Sequence, residues 1–383
     1  MDHGLSTEMT PVCDLVLLSW NHLEETKPCL ESLFETTKVP CRLFIVDNGS
    51  EPEVRAFLAS LTPRNNILEV TLLQNESNEG FPRGMNRGIR ASSAPYVCLL
   101  NNDLCLTVGW LAEMIEVAKA HPDIGVLNPA SSTLGNYPPP GLSLQEHADY
   151  LKRFRGQFKE VGMCIGYCML IKREVLDRVG ELSEEVERIF FEDEDFCMRA
   201  QQAGYRCVVA AAAYAYHAEH KTVNKMPERE ALFGRNRDWC NAKWGKRIRI
   251  AWPRFDLPAP GTDELRAWLT RLLSWARRRS HVYVYAPAPR GLTVDGLFES
   301  VGLVAHADIQ WRPIAPVLPG MAAAGLILQR RKKPFDIILT PTPSWGRRIS
   351  RLGWLHGAAV VPVDNEEQLI RQWRQRSRSP SSS

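Results

Sequence analysis

The segment Asn101-Asn102-Asp103 follows a short apolar stretch, residues 96–100, and is the first place where this chain can do chemistry. A carboxylate there, with diphosphate oxygens and water, suits Mg²⁺ or Mn²⁺, because hard divalent ions prefer oxygen ligands. Asp103 can equally start a turn or cap the helix entered near Val108. The segment alone therefore predicts either a metal site or a helix start.

Four consecutive acids, residues 192–195, follow the apolar segment 189–191. The helix dipole stabilises acids at a helix start by about 0.3–1 kcal/mol each, and Asp195 and Arg199 have the i, i+4 spacing of an ion pair. Because the run leaves a packed segment, one carboxylate can act as a general base that deprotonates an acceptor hydroxyl. We choose Asp193 for this role, with Glu192 as the alternative.

Polar residues also follow the first two predicted strands, as Ser19-Trp20-Asn21 and as Asp47-Asn48-Gly49-Ser50. If these strands are neighbours, the side chains can read the imide edge and the ribose of a nucleotide. Asp-Asn-Gly is also a strong turn signal. Asp47 as a turn residue that bonds its own backbone therefore remains an open alternative.

Further candidates occur along the chain. Residues 78–88 combine turn glycines with a proline suited to a first helical turn, where backbone N–H groups can face phosphates. Arg83 is a candidate partner of a donor phosphate or sugar, or a solvent-exposed arginine. His217, followed by His220, can complete a metal shell or touch a diphosphate, or is an ordinary strand-end residue. Gly166-Tyr167 can line a sugar pocket or simply pack.

Apolar runs alternate with helix-period segments from residue 12 onwards, which predicts an α/β fold with a mostly parallel sheet. We predict strands at 14–19, 42–47, 69–74, 96–100, 166–172 and 205–216, and helices at 24–36, 51–60, 81–91, 108–120, 173–179 and 194–202. Residues 133–142, which contain three successive prolines, predict a loop. Ligand chemistry is expected beyond the carboxyl ends of the strands.

A proline-rich shift at 252–261 predicts a domain boundary. The expected organisation is a flexible amino terminus (1–10), a catalytic domain (11–255), a smaller Rossmann-like α/β domain (262–373) and a disordered tail (374–383). The second domain has strand-like segments at 281–287, 335–340 and 358–363. Its linker helix, 264–279, carries an apolar stripe flanked by arginines. This helix is either packed between domains or interfacial at anionic lipid.

Composition limits the class of protein. A net charge of +3 over 383 residues gives no argument for nucleic-acid binding. The ten cysteines lack metal-finger or C-x-x-C spacing and are expected to be buried thiols of a reducing compartment. Without a signal-like or membrane-spanning apolar segment, we expect a cytoplasmic protein, at most peripheral to the inner face of the membrane.

The order of these motifs resembles the family 2 nucleotide-sugar glycosyltransferases of the GT-A fold, rhamnosyltransferase-like members among them. The resemblance covers residues 12–225 and rests on LVLLSWN (15–21), FIVDNGS (44–50), NEGFPRGMNRGI (78–89), LLNND (99–103), GYCMLIKREVLDRVG (166–180), FEDEDFCMRAQQAGYR (191–206) and His217. It implies inverting transfer from a UDP- or dTDP-sugar to an acceptor hydroxyl, assisted by Mn²⁺ or Mg²⁺, with hexosyl or deoxyhexosyl groups and cell-surface polysaccharide biosynthesis as the setting.

The resemblance also implies site roles. Asp193, or Glu192, would be the catalytic base, and Asp103 and His217 the metal or diphosphate ligands. The expected donor-binding residues are Ser19, Asn21, Asp47, Asn78, Phe81, Arg83, Asn86, Asn102 and Gly166. The metal motif departs from the family pattern, because Asp103 is its only acid.

Two alternatives remain open: a catalytically degenerate sugar-nucleotide-binding scaffold and a sugar-phosphate nucleotidyltransferase. The second would require an amino-terminal glycine-rich loop and a lysine, which residues 17–21 lack. The expected partners are a nucleotide-sugar donor and a glycan, lipid-linked or protein acceptor, with no nucleic acid. The carboxy-terminal domain is a candidate interface for a homodimer or a partner.

Overall fold

The computed structural model describes residues 9–218, 228–289, 291–315, 318–328 and 333–363. The chain divides into two compact units, residues 1–158 with 163–237, and residues 159–162 with 238–383. The predicted flexible amino terminus (apart from its last two residues), His220 and the predicted disordered tail lie outside the described residues.

The strands up to residue 217 are β1 (Cys13–Ser19), β2 (Cys41–Asp47), β3 (Ile67–Gln74), β4 (Tyr96–Asn101), β5 (Leu104–Leu106), β6 (Ile124–Ser131), β7 (Phe158–Val161), β8 (Cys168–Lys172) and β9 (Arg206–His217). Eight of them form a sheet with the order β3-β2-β1-β4-β8-β6-β9-β5, and β7 lies off this order and pairs with β9. The pairs among β3, β2, β1 and β4 are parallel, as is β6 with β9, whereas β8 runs antiparallel to β4 and β6. The predicted mostly parallel α/β sheet is confirmed.

The helices that cover this sheet are α1 (Leu23–Thr36), α2 (Pro52–Ala59), α3 (Phe81–Ala91), α4 (Trp110–Ala120), α5 (Leu144–Leu151), α6 (Arg173–Val179) and α7 (Glu192–Gln202). The next helix, α8 (Arg229–Trp244), has residues in both units. One continuous core joins strand and helix side chains, with Leu15, Leu33, Leu43, Trp110 and Met114 nearly or fully buried. The strands are apolar on both faces because helices cover both sides of a sheet of this class.

The glycines of α3 serve close packing. A Cβ added to Gly84 would lie 2.5 Å from Leu18 Cδ1, and one added to Gly88 would lie 2.2 Å from Val16 Cγ1. The i, i+4 spacing places both glycines on the face that meets β1. The glycine pattern that suggested a phosphate loop therefore has a packing reason at these two positions.

The second unit contains its own sheet, built from β10 (Ile248–Pro253), β11 (Ser280–Ala286), β12 (Ile309–Pro313), β13 (Ile337–Thr340) and β14 (Ala359–Pro362). The order is β12-β11-β10-β13-β14, and every adjacent pair is parallel. The helices are α9 (Asp263–Ala276), α10 (Val294–Glu299), α11 (Pro319–Leu328), α12 (Pro343–Ser350) and α13 (Gly353–His356). The expectation of a second, Rossmann-like α/β unit is confirmed.

The predicted domain boundary needs correction. The sequence predicts the boundary in the proline-rich segment after residue 255, but β10 pairs with both β11 and β13 and forms the centre of the second sheet. The prolines of 252–261 lie in and just after this strand, since a proline is tolerated at the end of a strand. They mark a strand-to-helix connection within the second unit.

The amphipathic helix predicted at 264–279 is α9, and its apolar stripe is covered. The stripe packs in the core of the second sheet, where these side chains are buried: Leu265, Trp268, Leu269, Leu272 and Trp275. This face is not available to a lipid surface, so the interpretation as an interfacial helix is wrong. Within the described residues, no helix is both long and apolar enough to cross a bilayer.

Candidate active site

Helix α7 begins under backbone strain. The residue at its N-cap position, Phe191, has a φ of 73°, and its side chain makes no hydrogen bond to the first turn of the helix. Arg188 and Phe190 also have positive φ values, 52° and 81°. Non-glycine residues rarely occupy this region, and such strain concentrates at functional sites, where it costs about 1–3 kcal/mol per residue. The four acids directly follow this strained turn and form the first turn of α7.

Asp193 is the only one of these four acids that is partly exposed, because Glu192, Glu194 and Asp195 are buried. The Asp193 carboxylate accepts hydrogen bonds from the backbone N–H of Gly166 at 3.3 Å and from that of Glu194 at 2.7 Å. Loss of water around the carboxylate raises its pKa to about 6, although these two N–H donors lower it. A carboxylate with a pKa near working pH is well suited to take up a proton.

The other acids of the run have different roles. Asp195 forms the predicted ion pair with Arg199, with 2.9 Å between Oδ2 and Nε. Burial raises the pKa of Glu192 well above its ordinary value, and the neighbouring charge of Asp193 raises it further. A proton held on Glu192 would make it a poor base at neutral pH. Glu192 is therefore the weaker of the two candidates for the base.

Asp103 and His217 lie side by side at the ends of β4 and β9. The Oδ1 atom of Asp103 is 3.1 Å from Nε2 of His217. The other ring nitrogen, Nδ1, is 2.8 Å from Oγ1 of Thr133, and the His217 backbone N–H donates to Ser132 Oγ at 3.0 Å. Antiparallel pairing of β5 with β9, which sets Leu104 opposite His217, produces this approach.

These two side chains fit a divalent cation only in part. Across the described ranges there is no cluster of three or more His, Cys, Asp or Glu residues that could hold a metal. A carboxylate and an imidazole suit Mn²⁺ better than Mg²⁺, which favours an all-oxygen shell. Asp103 and His217 could therefore hold a cation whose remaining ligands come from a donor diphosphate and water. The outer contact from Thr133 would orient the imidazole.

Two consecutive residues connect the base candidate to this pair. Gly166 donates its N–H to Asp193, and the ring of Tyr167 stacks on His217 with 5.2 Å between centroids. The Tyr167 carbonyl accepts the N–H of Asn101 at 2.9 Å, so this segment is also fixed to the end of β4. The structure thus brings Gly166, Asp193, Asp103 and His217 into one contact network.

The strand ends of β1 and β2 form a second polar group. The Asn21 N–H donates to Ser50 Oγ at 2.8 Å, and Asn21 Oδ1 accepts the Glu51 N–H at 2.8 Å. Asp47 is fully buried, accepts the Ser50 N–H at 3.0 Å and lies 3.4 Å from Arg55 Nε. One carboxylate oxygen of Asp47, Oδ1, thus bonds the backbone of its own turn, as the turn interpretation predicts. Ser19 is buried beneath this turn.

An asparagine network lies beside that turn, and the sequence analysis identified two of its members, Asn48 and Asn78. Asn48 Nδ2 donates to Asn78 Oδ1 at 2.9 Å, and Asn48 Oδ1 accepts from Asn75 Nδ2 at 2.8 Å and from the Glu79 N–H at 3.1 Å. Asn78 Oδ1 also accepts the Gly80 N–H. The sequence analysis missed Asn75. It directly follows β3 as Asn48 follows β2, and that shared position is the signal that could have found it.

The remaining predicted donor residues differ in their surroundings. Phe81 is close to Gly166, since a Cβ added there would lie 3.1 Å from Phe81 Cζ. The Arg83 side chain is 59 % exposed and lies 3.8 Å from Glu184. Asn102 Nδ2 donates to Thr26 Oγ1 at 2.8 Å. Phe81 therefore contacts the network around Asp193, whereas Arg83 and Asn102 point to other partners.

Asn86 requires a correction. Its side chain is 1 % exposed, Nδ2 donates to Leu182 O and Glu184 Oε1 at 2.9 Å, and Oδ1 accepts the Leu182 N–H at 3.0 Å. These bonds use both ends of the amide to hold residues 182–184 against α3. Asn86 is therefore a structural residue, and we no longer assign it to the donor.

Known proteins resemble parts of this chain. One relative is the uncharacterised protein y4gI from Sinorhizobium fredii, which is 27 % identical over 257 residues. The aligned region covers 62 % of this chain and 28 % of y4gI, the first relative considered. The low-salt glycan biosynthesis hexosyltransferase Agl10 of Haloferax volcanii is 24 % identical over 212 residues, 52 % of this chain and 66 % of the relative. The chain thus spans under a third of the first relative's length.

Among solved structures, the mannosyltransferase PcManGT from Pyrobaculum calidifontis, in complex with GDP-Man and Mn²⁺, is 16 % identical with a TM-score of 0.43. The superposition covers 56 % of this chain and 59 % of that one. Residues 14–180, which include β1 to β4, Asp47, Asp103 and Gly166, match the family profile described as Glycosyl transferase family 2. Residues 14–180 of the first unit are thus similar to the family 2 glycosyltransferases.

Proposed function

We propose that this chain is an inverting glycosyltransferase that moves a hexosyl or deoxyhexosyl group from a UDP- or dTDP-sugar to an acceptor hydroxyl. The observation that carries the proposal is the network of Asp193, Gly166, Tyr167, His217 and Asp103 at one edge of the sheet. It links a carboxylate with a pKa of about 6 to a carboxylate–imidazole pair. The family match over residues 14–180 supports a nucleotide-sugar donor.

In this mechanism Asp193 removes the proton of the acceptor hydroxyl while the oxygen attacks the anomeric carbon. The bond between that carbon and the diphosphate oxygen breaks, the nucleotide diphosphate leaves with the electron pair, and the configuration inverts. The Gly166 and Glu194 N–H groups hold the carboxylate ionised and aimed until it accepts the proton. Direct displacement needs no protein nucleophile.

Asp103 and His217 would hold the cation, with Thr133 orienting the imidazole. When bound, Mn²⁺ or Mg²⁺ neutralises charge on the departing diphosphate. The turn of Ser19, Asn21, Asp47 and Ser50 would face the nucleoside, and its internal hydrogen bonds keep the turn rigid. Phe81 and Gly166 would border the sugar.

The acceptor class extends the proposal. We propose a glycan or lipid-linked acceptor in cell-surface polysaccharide assembly. The name of the Haloferax volcanii relative, a hexosyltransferase of low-salt glycan biosynthesis, supports a role in glycan synthesis. We also propose a cytoplasmic site of action and dimerisation through the second unit. A protein acceptor and rhamnosyl transfer are further proposals for the acceptor and the sugar.

The deciding experiment is a donor screen on the full chain. Thermal-shift measurements with UDP-, dTDP- and GDP-sugars plus Mn²⁺ identify the donor, because a ligand that binds the folded state raises Tm with its concentration. Release of nucleotide diphosphate from that donor is then followed. We expect turnover in the wild type and loss of about 10²–10⁴-fold in Asp193→Asn. Full turnover in Asp193→Asn would remove Asp193 from the mechanism.

One observation favours a second candidate, a degenerate scaffold that binds sugar nucleotide without transferring the sugar. Among the described residues, no group of three or more His, Cys, Asp or Glu side chains could hold a metal, and Asp47 is engaged with its own turn. A scaffold would show donor-induced stabilisation with no turnover for any donor. A nucleotidyltransferase is disfavoured because the turn after β1, Trp20-Asn21-His22, contains neither glycine nor lysine.

A further inference from the structure

The second sheet has the strand order of a doubly wound fold, and its reversal point lies between β10 and β13. From β10 the chain adds β11 and then β12 on one side, and β13 and then β14 on the other. All these strands are parallel, so their carboxyl ends share one edge. In open α/β sheets, ligands bind in the crevice outside the carboxyl ends at this reversal point.

A cleft of about 500 Å³ lies at that place. Its walls come from the ends of β10, β13 and β14, represented by Arg254, Thr340 and Val363, and from α9 through Ala267 and Arg271. The volume falls in the range of about 300–1,000 Å³ typical of small-molecule sites. The cleft thus combines the expected position with a suitable size.

Two arginines line the cleft in fixed positions. Arg254 lies over the Trp268 ring at 4.9 Å and pairs with Glu264 at 2.7 Å. Arg271 donates to the Val363 carbonyl at 2.7 Å and lies over the Trp252 ring at 5.7 Å. Asp256 is the only acid among the lining residues, which carry no lysine or histidine. Asp256 also lies 3.6 Å from Arg254 Nε, so Arg254 is paired with two acids. The charged lining residues sum to +1, and both guanidinium groups lie over aromatic rings.

Two further features favour an anionic ligand. The first residue of the eight-residue helix α12, Pro343, lines the cleft, so the positive end of the helix dipole borders it. Trp268 also lines the cleft with its side chain 5 % exposed, and its indole N–H has no hydrogen-bond partner among the residues the structure describes. A buried donor without an acceptor is costly. This N–H belongs to a residue of the cleft wall.

We infer that this cleft is a second ligand site, separate from the site on the first unit, that binds an organic phosphate of nucleotide size. Guanidinium groups and a helix N-terminus recognise phosphate oxygens. The volume accommodates an organic group attached to the phosphate. No glycine-rich loop follows β10, so recognition relies on Arg254, Arg271 and the start of α12.

Charge reversal inside the cleft tests the inference. Ala267 is exposed on α9 and lines the cleft, so Ala267→Glu places a carboxylate there without disturbing the core. Thr270→Glu is the matched control, because Thr270 is exposed on the same helix and does not line the cleft. Arg271→Gln removes one of the two positive charges and keeps a donor for the Val363 carbonyl.

The measurement is calorimetric titration of the full chain with UDP, glucose 1-phosphate and orthophosphate as probes. An Asp103→Asn background and a chelator weaken nucleotide binding at the first unit. We expect at least one organic phosphate to bind, with Kd raised at least about tenfold by Ala267→Glu and by Arg271→Gln, and unchanged by Thr270→Glu. Far-UV circular dichroism and Tm confirm that each variant is folded.

Three results would overturn the inference. The first is no binding of any probe at millimolar concentration. The second is binding that Ala267→Glu and Thr270→Glu affect equally, with Arg271→Gln silent. The third is orthophosphate binding as tightly as UDP and glucose 1-phosphate, which would indicate a bare anion contact. Sugar transfer is assayed separately, so failure here leaves the proposed activity of the first unit standing.

Discussion

The Nε2 atom of His217 lies 3.1 Å from the Oδ1 atom of Asp103, although the two residues are 114 positions apart in the chain. Thr133 holds the far side of the imidazole at 2.8 Å and Tyr167 stacks on its face. The side chains that the sequence suggested as metal ligands are thus adjacent, and each is fixed by contacts that do not depend on a ligand.

The affinity for Mn²⁺ should fall less when an outer contact of this pair is removed than when one of the two proposed ligands is removed. We expect Thr133→Ala to weaken Mn²⁺ binding by about 10–100-fold, the usual effect of losing an outer-shell partner. Asp103→Asn and His217→Ala should each weaken it more, because they remove a proposed ligand. Mn²⁺ affinity is measured by electron paramagnetic resonance at saturating UDP. Asp177→Asn, which removes an exposed acid of α6, is the control for charge. Equal Mn²⁺ affinity in wild type and Asp103→Asn would refute the metal role.

The rate of transfer should depend on pH through Asp193. A general base must be ionised, and the pKa of Asp193 is raised to about 6 by burial. We therefore expect kcat/KM at saturating Mn²⁺ to be level above about pH 7 and to fall about tenfold per unit below about pH 6. The residual activity of Asp193→Asn should lose this dependence. A wild-type profile that stays level down to pH 5 would contradict the assignment.

The same raised pKa makes a prediction about stability. The folded-state pKa of Asp193, about 6, exceeds the ordinary value of 3.8, so between these values the folded chain binds more protons than the unfolded chain. The free energy of unfolding therefore falls as pH rises from about 4 to about 6, and the loss persists above that range. The Asp193→Asn variant has no carboxylate at this position and should not show this loss of unfolding free energy.

We accordingly expect Asp193→Asn to melt above the wild type at pH 8, by about 2–4 °C for each 1 kcal/mol recovered, with the difference shrinking towards pH 4. Differential scanning calorimetry at both pH values measures this. Asp177→Asn should show no comparable pH-dependent gain. A variant that is inactive and also less stable at pH 8 would indicate that the Asp193 carboxylate mainly supports the fold.

Most elements of the first unit could be predicted because their signals are local. The strands from β1 to β4 are apolar runs that end at turn residues, and helices of regular period separate them. β6 was missed, since its eight residues contain Asn128 and Pro129 and are buried by neighbours that are distant in sequence. β5 has three residues, too few for any periodic pattern.

The site was predictable at its strand ends and not in its long-range contacts. Asp103 and His217 each follow an apolar strand, and the shared edge of the sheet makes their approach foreseeable. The hydrogen bonds of Asn86 to Leu182 and Glu184 join residues that are nearly a hundred positions apart, and no local sequence pattern predicts such bonds. The predicted domain boundary was wrong for a related reason. The prolines at 252–261 are evident in the sequence, whereas the pairing of β10 with β11 and β13 depends on residues that are distant in the chain.

Asn86 gives a test of the corrected assignment. Asn86→Ala leaves the Leu182 N–H and carbonyl without their side-chain partner in a buried place. We expect the free energy of unfolding to fall by about 1–3 kcal/mol, with the KM for the donor unchanged where the variant is folded. Urea denaturation and donor kinetics measure the two quantities. A raised donor KM at unchanged stability would restore Asn86 to the donor site.

Gly166 should be the position where one methyl group affects catalysis more than folding. Its φ is not in the left-handed region, so alanine suits the backbone, but the new Cβ would lie 3.1 Å from Phe81 Cζ and 3.2 Å from Phe81 Cε1. The ring must give way, or the Gly166 N–H shifts relative to Asp193. A shift of that hydrogen bond changes both the aim and the pKa of the carboxylate.

We expect Gly166→Ala to lower kcat by about 10²-fold, because misplacement on the order of 1 Å is that costly for an oriented group, and to move the acidic limb of the pH profile upwards. Gly234→Ala is the control, since Gly234 is helical with nothing within 4 Å of its added Cβ and should gain up to about 1 kcal/mol. A Gly166→Ala variant with wild-type kcat and pH profile would show that the Gly166 contact does not position Asp193. A loss of Tm in Gly166→Ala with kcat preserved would assign Gly166 to packing against Phe81 alone.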